Sequence, residues 1–341
     1  MHSLTESALM WVNRTRSRSG AKVRIRRLGN GVGTIAANII LPLFGIMVVG
    51  FAAGYFGILN RNGSAFLSRF VFVVALPALV FIKLSHVPAS EFFNWPFLGA
   101  LGGGMLATMA IAFVVARVAF PGSLTAHAMH GLTAMYSSTG YVGLPLILLA
   151  FGDRALVPGI IGAVITGTIF LPIAVLLAES DRGRREGVMS FAPFFRVLSN
   201  PVLIATTAGL LCSAFGIDIP KPAVKLFELL GDAYVPCALF SAGLFMSGGI
   251  VRTATVEIGW LVAVKLVLHP VIAWWLAYQV FELEGILPAI VVLQAALPCG
   301  VPVFVLAQHY DTFTARSNAV IVISTALSVF TLSALLILLN V

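Results

Sequence analysis

The sequence predicts an all-α membrane protein of about ten transmembrane helices, built as two inverted five-helix repeats with broken, crossing fourth and ninth helices. Three observations predict it. The 341-residue chain is 59% hydrophobic and only 10% charged, with a mean hydropathy of +1.01, whereas a soluble domain carries roughly 25% charged residues. Apolar runs long enough to cross a hydrocarbon core of about 30 Å recur at regular intervals. Short motifs of the first half return in order in the second half at a nearly constant offset.

The surplus of 21 Lys and Arg over 13 Asp and Glu would suit a nucleic-acid binder, but its placement excludes one. Arg14, Arg16, Arg18, Lys22, Arg24, Arg26 and Arg27 share residues 1–34 with one acid, Glu6. The rest carries 14 basic and 12 acidic groups, a net of +2. The basic character therefore belongs to a tail and not to a folded face. Residues 1–35 lack the continuous apolar stretch of a cleavable signal. They are either a disordered basic arm or upstream sequence read from an early start codon, with Val32 and Met47 as later starts. Cys212, Cys237 and Cys299 show no paired spacing, so neither a disulfide frame nor a zinc site is expected, and they read as small buried hydrophobes. GxxxxGK[ST], HExxH and GxSxG are missing, and Gly29-Asn30-Gly31-Val32-Gly33 follows no strand. The chain reads as no enzyme, with no cofactor, no metal and no ATP drive.

The predicted segments are 36–58, 64–86, 96–119, 124–151 and 155–179 in a first repeat over 36–180. In a second repeat over 198–341 they are 198–216, 222–247, 254–281, 285–309 and 317–340, with 181–197 as the connecting loop. Loops after odd-numbered segments hold Arg61, Arg69, Arg117, Arg182, Arg184, Arg185, Arg196, Arg252 and Arg316, against Lys83, Arg154, Lys221 and Lys225 on the other side. By the positive-inside rule the 179–198 loop is expected in the cytoplasm, in a multi-pass plasma (inner) membrane protein.

Gly143-Leu144-Pro145 with Leu149-Ala150 matches Gly300-Val301-Pro302 with Leu306-Ala307 at an offset of 157. Phe56-Gly57-Ile58 matches Phe215-Gly216-Ile217 at an offset of 159, as Pro77 matches Pro236. Five helices per half is an odd number, so the second half enters the membrane from the opposite side. Such inverted repeats are a hallmark of secondary transporters. The fourth segment carries Gly140, Gly143 and Pro145, and the ninth carries Pro298, Gly300 and Pro302. These residues interrupt helices, and unpaired backbone at mid-membrane is tolerated only inside protein or along a watery cavity. Breaks are expected near Gly140–Pro145 and Pro298–Pro302, with half-helix N-termini attracting an anion through exposed N–H groups. The expected substrate-binding residues are Ser137, Ser138, Thr139, Gly140, Tyr141, Gly143, Pro145, Pro298, Cys299, Gly300, Pro302 and Thr325.

Ionisable groups inside membrane helices are costly and find partners. Asp232 in the seventh segment and Lys265 in the eighth lie at similar depth, and His269 shares a helix face with Lys265. Asp232 and Lys265 are expected to pair, either structurally or, with His269, as part of a proton or substrate path. Thr166, Thr168, Ser324, Thr325 and Ser328 either line a cavity or pack helices.

At these residues the sequence resembles the auxin efflux carrier family in its bacterial branch of malonate and other carboxylate permeases. The resemblance covers residues 36–341. It is carried by Thr139-Gly140-Tyr141-Val142-Gly143-Leu144-Pro145, Leu230-Gly231-Asp232-Ala233-Tyr234-Val235-Pro236 with Leu239-Phe240, Lys265-Leu266 with His269-Pro270, and Leu297-Pro298 through Ala307-Gln308, with Ser324-Thr325-Ala326-Leu327-Ser328 and Thr331 adding to it. It implies two inverted five-helix repeats similar to bile-acid/sodium symporters, divided into a scaffold and a moving transport part. The chain departs at Ser138, where members often carry Asn, and around Val301 and Pro302, where many have Asn and this chain has none. The leading expectation is an alternating-access carrier of small organic anions such as mono- or dicarboxylates. Its partners would be that anion, the lipid bilayer and, as a homodimer, a second copy of the chain, with no nucleic acid. A cation/proton antiporter would need Asp or Glu at the breaks, and residues 137–145 and 298–302 contain neither. A non-transporting receptor or accessory subunit is the third class.

Overall fold

The longest uninterrupted apolar runs fold as the longest helices, and the runs holding clustered Gly and Pro fold as pairs of short ones. The computed structural model describes residues 38–87, 92–186, 200–248 and 255–339, without the side chains of 61, 62, 185 and 186. The expected tail and most of the expected 181–197 loop lie outside the described residues. In chain order the helices are α1 (Asn38–Tyr55), α2 (Gly63–Leu84), α3 (Trp95–Ala119), α4 (Leu124–Met135), α5 (Thr139–Phe151) and α6 (Asp153–Arg184). They continue as α7 (Pro201–Ala214), α8 (Lys221–Met246), α9 (Thr255–Val280), α10 (Leu287–Ala296), α11 (Pro302–His309) and α12 (Thr314–Leu338).

Seven of these, α1, α2, α3, α6, α8, α9 and α12, are long and apolar enough to cross a membrane, and α5, α7 and α10 are shorter apolar helices. The expected fourth segment is α4 plus α5, and the expected ninth is α10 plus α11. The helix expected to end at 179 continues to Arg184, because Asp181 turns inward: its carboxylate accepts from the Thr125 hydroxyl (2.7 Å) and backbone N–H (3.2 Å) at the start of α4. Helix starts are capped as their sequences dictate. Asn94 accepts from the Phe97 N–H (3.0 Å), Ser123 from the Ala126 N–H (3.0 Å) and Asn200 from the Val202 N–H (2.9 Å).

Among the described residues five helical stretches are wound wide, at Val71–Ala75, Thr139–Gly143, Thr166–Phe170, Val264–Leu268 and Leu276–Val280. The first four are each followed by a residue and then a proline: Pro77, Pro145, Pro172 and Pro270. A proline ring clashes with the carbonyl four residues back and supplies no N–H. The extra residue of a π turn relieves the clash, and the residue before each proline donates five residues back, as His269 N–H does to the Val264 carbonyl and Leu144 N–H to Thr139.

Packing sorts the helices into two groups. The first holds α2 against α7 and α8, with α1 laid on α8. There a Cβ on Gly50 would stand 2.2 Å from the Phe240 carbonyl oxygen, and one on Gly243 would stand 1.9 Å from that of Met47. Only glycine permits this backbone approach, the usual way apolar helices associate without a hydrophobic drive. The second group packs α3 on α4 and α9, α4 on α6, α10 on α6 and α9, and α12 on α9 and α11. The groups meet where α8 touches the start of α5.

Candidate functional site

The α4 helix ends at Met135, and Tyr136 turns extended (φ −65°, ψ 107°). Likewise α10 ends at Ala296, with Leu297 extended (φ −59°, ψ 151°). The two short stretches lie side by side, and Ser137 pairs with Cys299 in an antiparallel bridge. The Ser138 N–H donates to the Pro298 carbonyl (2.9 Å) and the Gly300 N–H to that of Tyr136 (3.2 Å). The Cys299 N–H donates to the Ser324 hydroxyl on α12 (3.0 Å). Backbone that no helix can satisfy is thus satisfied inside protein, as a membrane interior requires. Side chains interlock here too. A Cβ on Gly143 would stand 2.4 Å from Leu297 Cδ1, and one on Gly300 would stand 2.9 Å from the Tyr136 ring.

In the first half the break begins earlier than expected, at Tyr136–Ser138, while Gly140 and Gly143 lie in the wide turn that Pro145 demands. The N–H groups expected to face an anion are also largely engaged. Those of Tyr141, Val142 and Gly143 all turn back to the Ser138 carbonyl (3.3, 3.0 and 2.9 Å).

A cavity of about 90 Å³ lies against this point, lined by Ser137, Ser138, Thr139, Gly140, Tyr141 and Pro302 of the expected set, with Asn200 from the start of α7. A wider cavity of about 600 Å³ shares the walls Tyr141, Asn200 and Pro302 and adds Arg69, His309 and Tyr310. Its walls come from the first half of α2, the middle of α6, the start of α7 and the length of α11, reaching Arg69, His309 and Tyr310 on the side where α6 ends and α7 begins. On the opposite side the Tyr234 hydroxyl donates to the Gly140 carbonyl. The cavity there, about 390 Å³ and lined by Lys83, His86, Glu228 and Asp232 among others, shares no lining residue with the small one.

The remaining expected residues have other surroundings. Gly143, Pro145, Pro298, Cys299 and Gly300 form the packing around the break and do not line these cavities. Thr325 turns its hydroxyl to the Ile321 carbonyl (2.6 Å) on its own helix, and its neighbour Ser324 reaches the break instead.

The expected pairing of Asp232 with Lys265 does not form. Asp232 is exposed on the wall of the 390 Å³ cavity, just before the irregular turn at Ala233. Lys265 is completely buried. Its ammonium donates to the Ser137 hydroxyl (2.7 Å) and to the carbonyls of Ala295 (2.8 Å) and Met135 (3.4 Å), and stands 3.0 Å from His269 Nδ1. Helix-end carbonyls do the work assigned to a carboxylate.

Sequence reasoning missed Asn200, Arg69 and a buried ionic cluster on the side where α6 ends and α7 begins. Asn200 carried a signal, since Asn-Pro opens a helix. In the cluster Glu257 accepts from Arg316 Nε (3.1 Å) and stands 3.1 Å from His130 Nδ1. The Tyr310 hydroxyl donates to Glu179 (2.9 Å).

The whole bundle bears on a sequence match. Residues 35–336 match the profile of a family described as membrane transport protein. The chain belongs to this family, that of the auxin efflux carriers. It is 30% identical over 307 residues to a Rhizobium meliloti (strain 1021) protein named "Putative malonate transporter", covering 88% of this chain and 94% of that one. It is 25% identical over 302 residues to an uncharacterized transporter of Methanothermobacter thermautotrophicus, covering 87% and 96%. It is 32% identical over 111 residues to auxin efflux carrier component 1 of Arabidopsis thaliana, covering 32% of this chain and 18% of that one. The protein is a multi-pass membrane transporter whose partners include a small-molecule substrate and the bilayer.

Proposed function

We propose that this family member is an alternating-access carrier of small organic anions, mono- or dicarboxylates, bound in the cavity beside Ser137–Tyr141 and Pro302. In this reading the halves are inverted five-helix repeats, α4–α5 and α10–α11 are the broken crossing segments, and the 179–198 side is cytoplasmic. One observation carries it: the vestibule of about 600 Å³ reaches the paired breaks with Arg69 in its wall, and among the described residues no Asp or Glu lines either cavity. With the N–H groups of α5 turned inward, Arg69 supplies the positive charge and Asn200 brings an amide to the cavity wall, where Ser138 departs from the family's Asn. The missing carboxylates also disfavour a cation/proton antiporter. The name of the Rhizobium meliloti relative directs the choice of probe.

Purified protein in proteoliposomes should exchange radiolabelled malonate or another small carboxylate, and a binding carboxylate should raise its melting temperature by mass action. Arg69→Gln and Asn200→Ala should each weaken that shift. A panel of mono- and dicarboxylates that neither shifts melting nor exchanges would overturn the proposal. For orientation, a cysteine at Arg184 should resist an impermeant external reagent on intact cells while one at Pro220 labels. The reverse pattern would invert the assignment.

A further inference from the structure

We propose that Lys265 is a resident cation, standing where the C-terminal ends of two half-helices converge, and that it takes the place of a co-transported metal cation in this carrier. The inference rests on the carrier reading above for its function, but not for its test. Met135 is the last residue of α4, and Ala295 is next to last in α10. The final carbonyls of a helix have no partner within it and form the negative end of its dipole. Two such ends therefore aim at one point inside the bundle, beside the Ser137 hydroxyl. In broken-helix carriers generally, unwound carbonyls and half-helix C-termini coordinate a coupling ion.

Here that oxygen set surrounds the Lys265 ammonium. It has three hydrogens, and Ser137 Oγ, the Ala295 carbonyl and His269 Nδ1 lie within 3.0 Å of it, with the Met135 carbonyl at 3.4 Å. No carboxylate is among these partners. The backbone of Lys265 lies in the wide turn before Pro270 in α9, and its buried ammonium is held by these partners. Ser137 links the ammonium to the substrate cavity, since it lines that cavity while accepting from Lys265. A fixed ammonium supplies the charge that would otherwise be recruited from solution, and sodium has no vacancy to fill.

The test compares the melting temperature of the purified full chain in sodium chloride and in choline chloride at equal ionic strength. The parent should melt identically in both. Lys265→Ala removes the ammonium and leaves the oxygens of Ser137, Met135 and Ala295 facing a void. It should melt lower in choline and show a saturable rise of several degrees as sodium replaces it. If Lys265→Ala gives no folded protein, Lys265→Ser, which offers a further oxygen, carries the same comparison. A sodium-selective rise in the parent overturns the proposal, as does a folded Ala or Ser variant indifferent to sodium. In proteoliposomes the parent's malonate exchange should keep its rate when choline replaces sodium. Absence of any malonate exchange would count against the carboxylate reading and leave the melting comparison standing.

Discussion

Lys265 and Arg316 are both cations inside the second half of the bundle, and the protein neutralises them by opposite means. Arg316, at the start of α12, has a carboxylate: Glu257 receives its Nε at 3.1 Å, and one third of the arginine side chain is exposed. The ring of Phe313 lies 5.3 Å from the guanidinium carbon as well. Lys265, deep in α9, is completely buried and is held by carbonyls, a hydroxyl and a neighbouring imidazole. At the rim, water helps solvate a broken pair, so a carboxylate is a modest investment. In the centre a buried carboxylate adds a second desolvation penalty. Helix-end carbonyls are already there needing a donor, so one lysine solves both problems.

This contrast is broken most severely at Lys265. Lys265→Met leaves two helix ends and a serine without their donor, and it should cost about 3–5 kcal/mol, the scale of breaking a buried charge interaction. The melting temperature of the detergent-purified protein should fall accordingly, and a variant melting like the parent would mean that backbone dipoles do not need the ammonium. At the rim, Glu257→Gln should cost about 1–3 kcal/mol, since the carboxylate is buried but Arg316 can rehydrate. Adding Arg316→Gln to it should restore part of that loss, giving a coupling of about 0.5–3 kcal/mol in a double-mutant cycle. Strict additivity would remove the rim pair from the comparison. The smallest effect belongs to Asp232→Asn, expected within about 0.5 kcal/mol of the parent as for ordinary surface positions. Combined with Lys265→Met it should rescue nothing; recovery of melting temperature in the double variant would restore the pairing that the structure denies.

What the sequence disclosed follows from what is local. Apolar run lengths announced the long helices, because crossing lipid imposes them residue by residue. Gly140, Gly143 and Pro145, with Pro298, Gly300 and Pro302, announced where regular winding fails. Where the first break begins was not legible: Pro145 is accommodated by a wide turn, and the chain unwinds four residues before Gly140. Asp232 and Lys265 looked like partners because depth along a helix can be counted in sequence while the face cannot. Besides His269 on its own helix face and the Ser137 hydroxyl, Lys265 is held by backbone carbonyls, which every residue possesses and no residue type advertises. Asn200 reaches the cavity from the other helix group, a proximity set wholly by tertiary packing.

The two breaks also bind the histories of the two halves together. Leu297 from the second half sits where a side chain at Gly143 would be, and Tyr136 from the first half sits where one at Gly300 would be. An alanine at either glycine obliges a side chain of the opposite half to move, Leu297 for Gly143 and Tyr136 for Gly300. In a library that randomises both halves at once, tolerated changes at Gly143 should arrive with a smaller residue at Leu297, and those at Gly300 with a smaller residue at Tyr136. A chimera pairing one half with that of a distant relative would inherit a key cut for another lock.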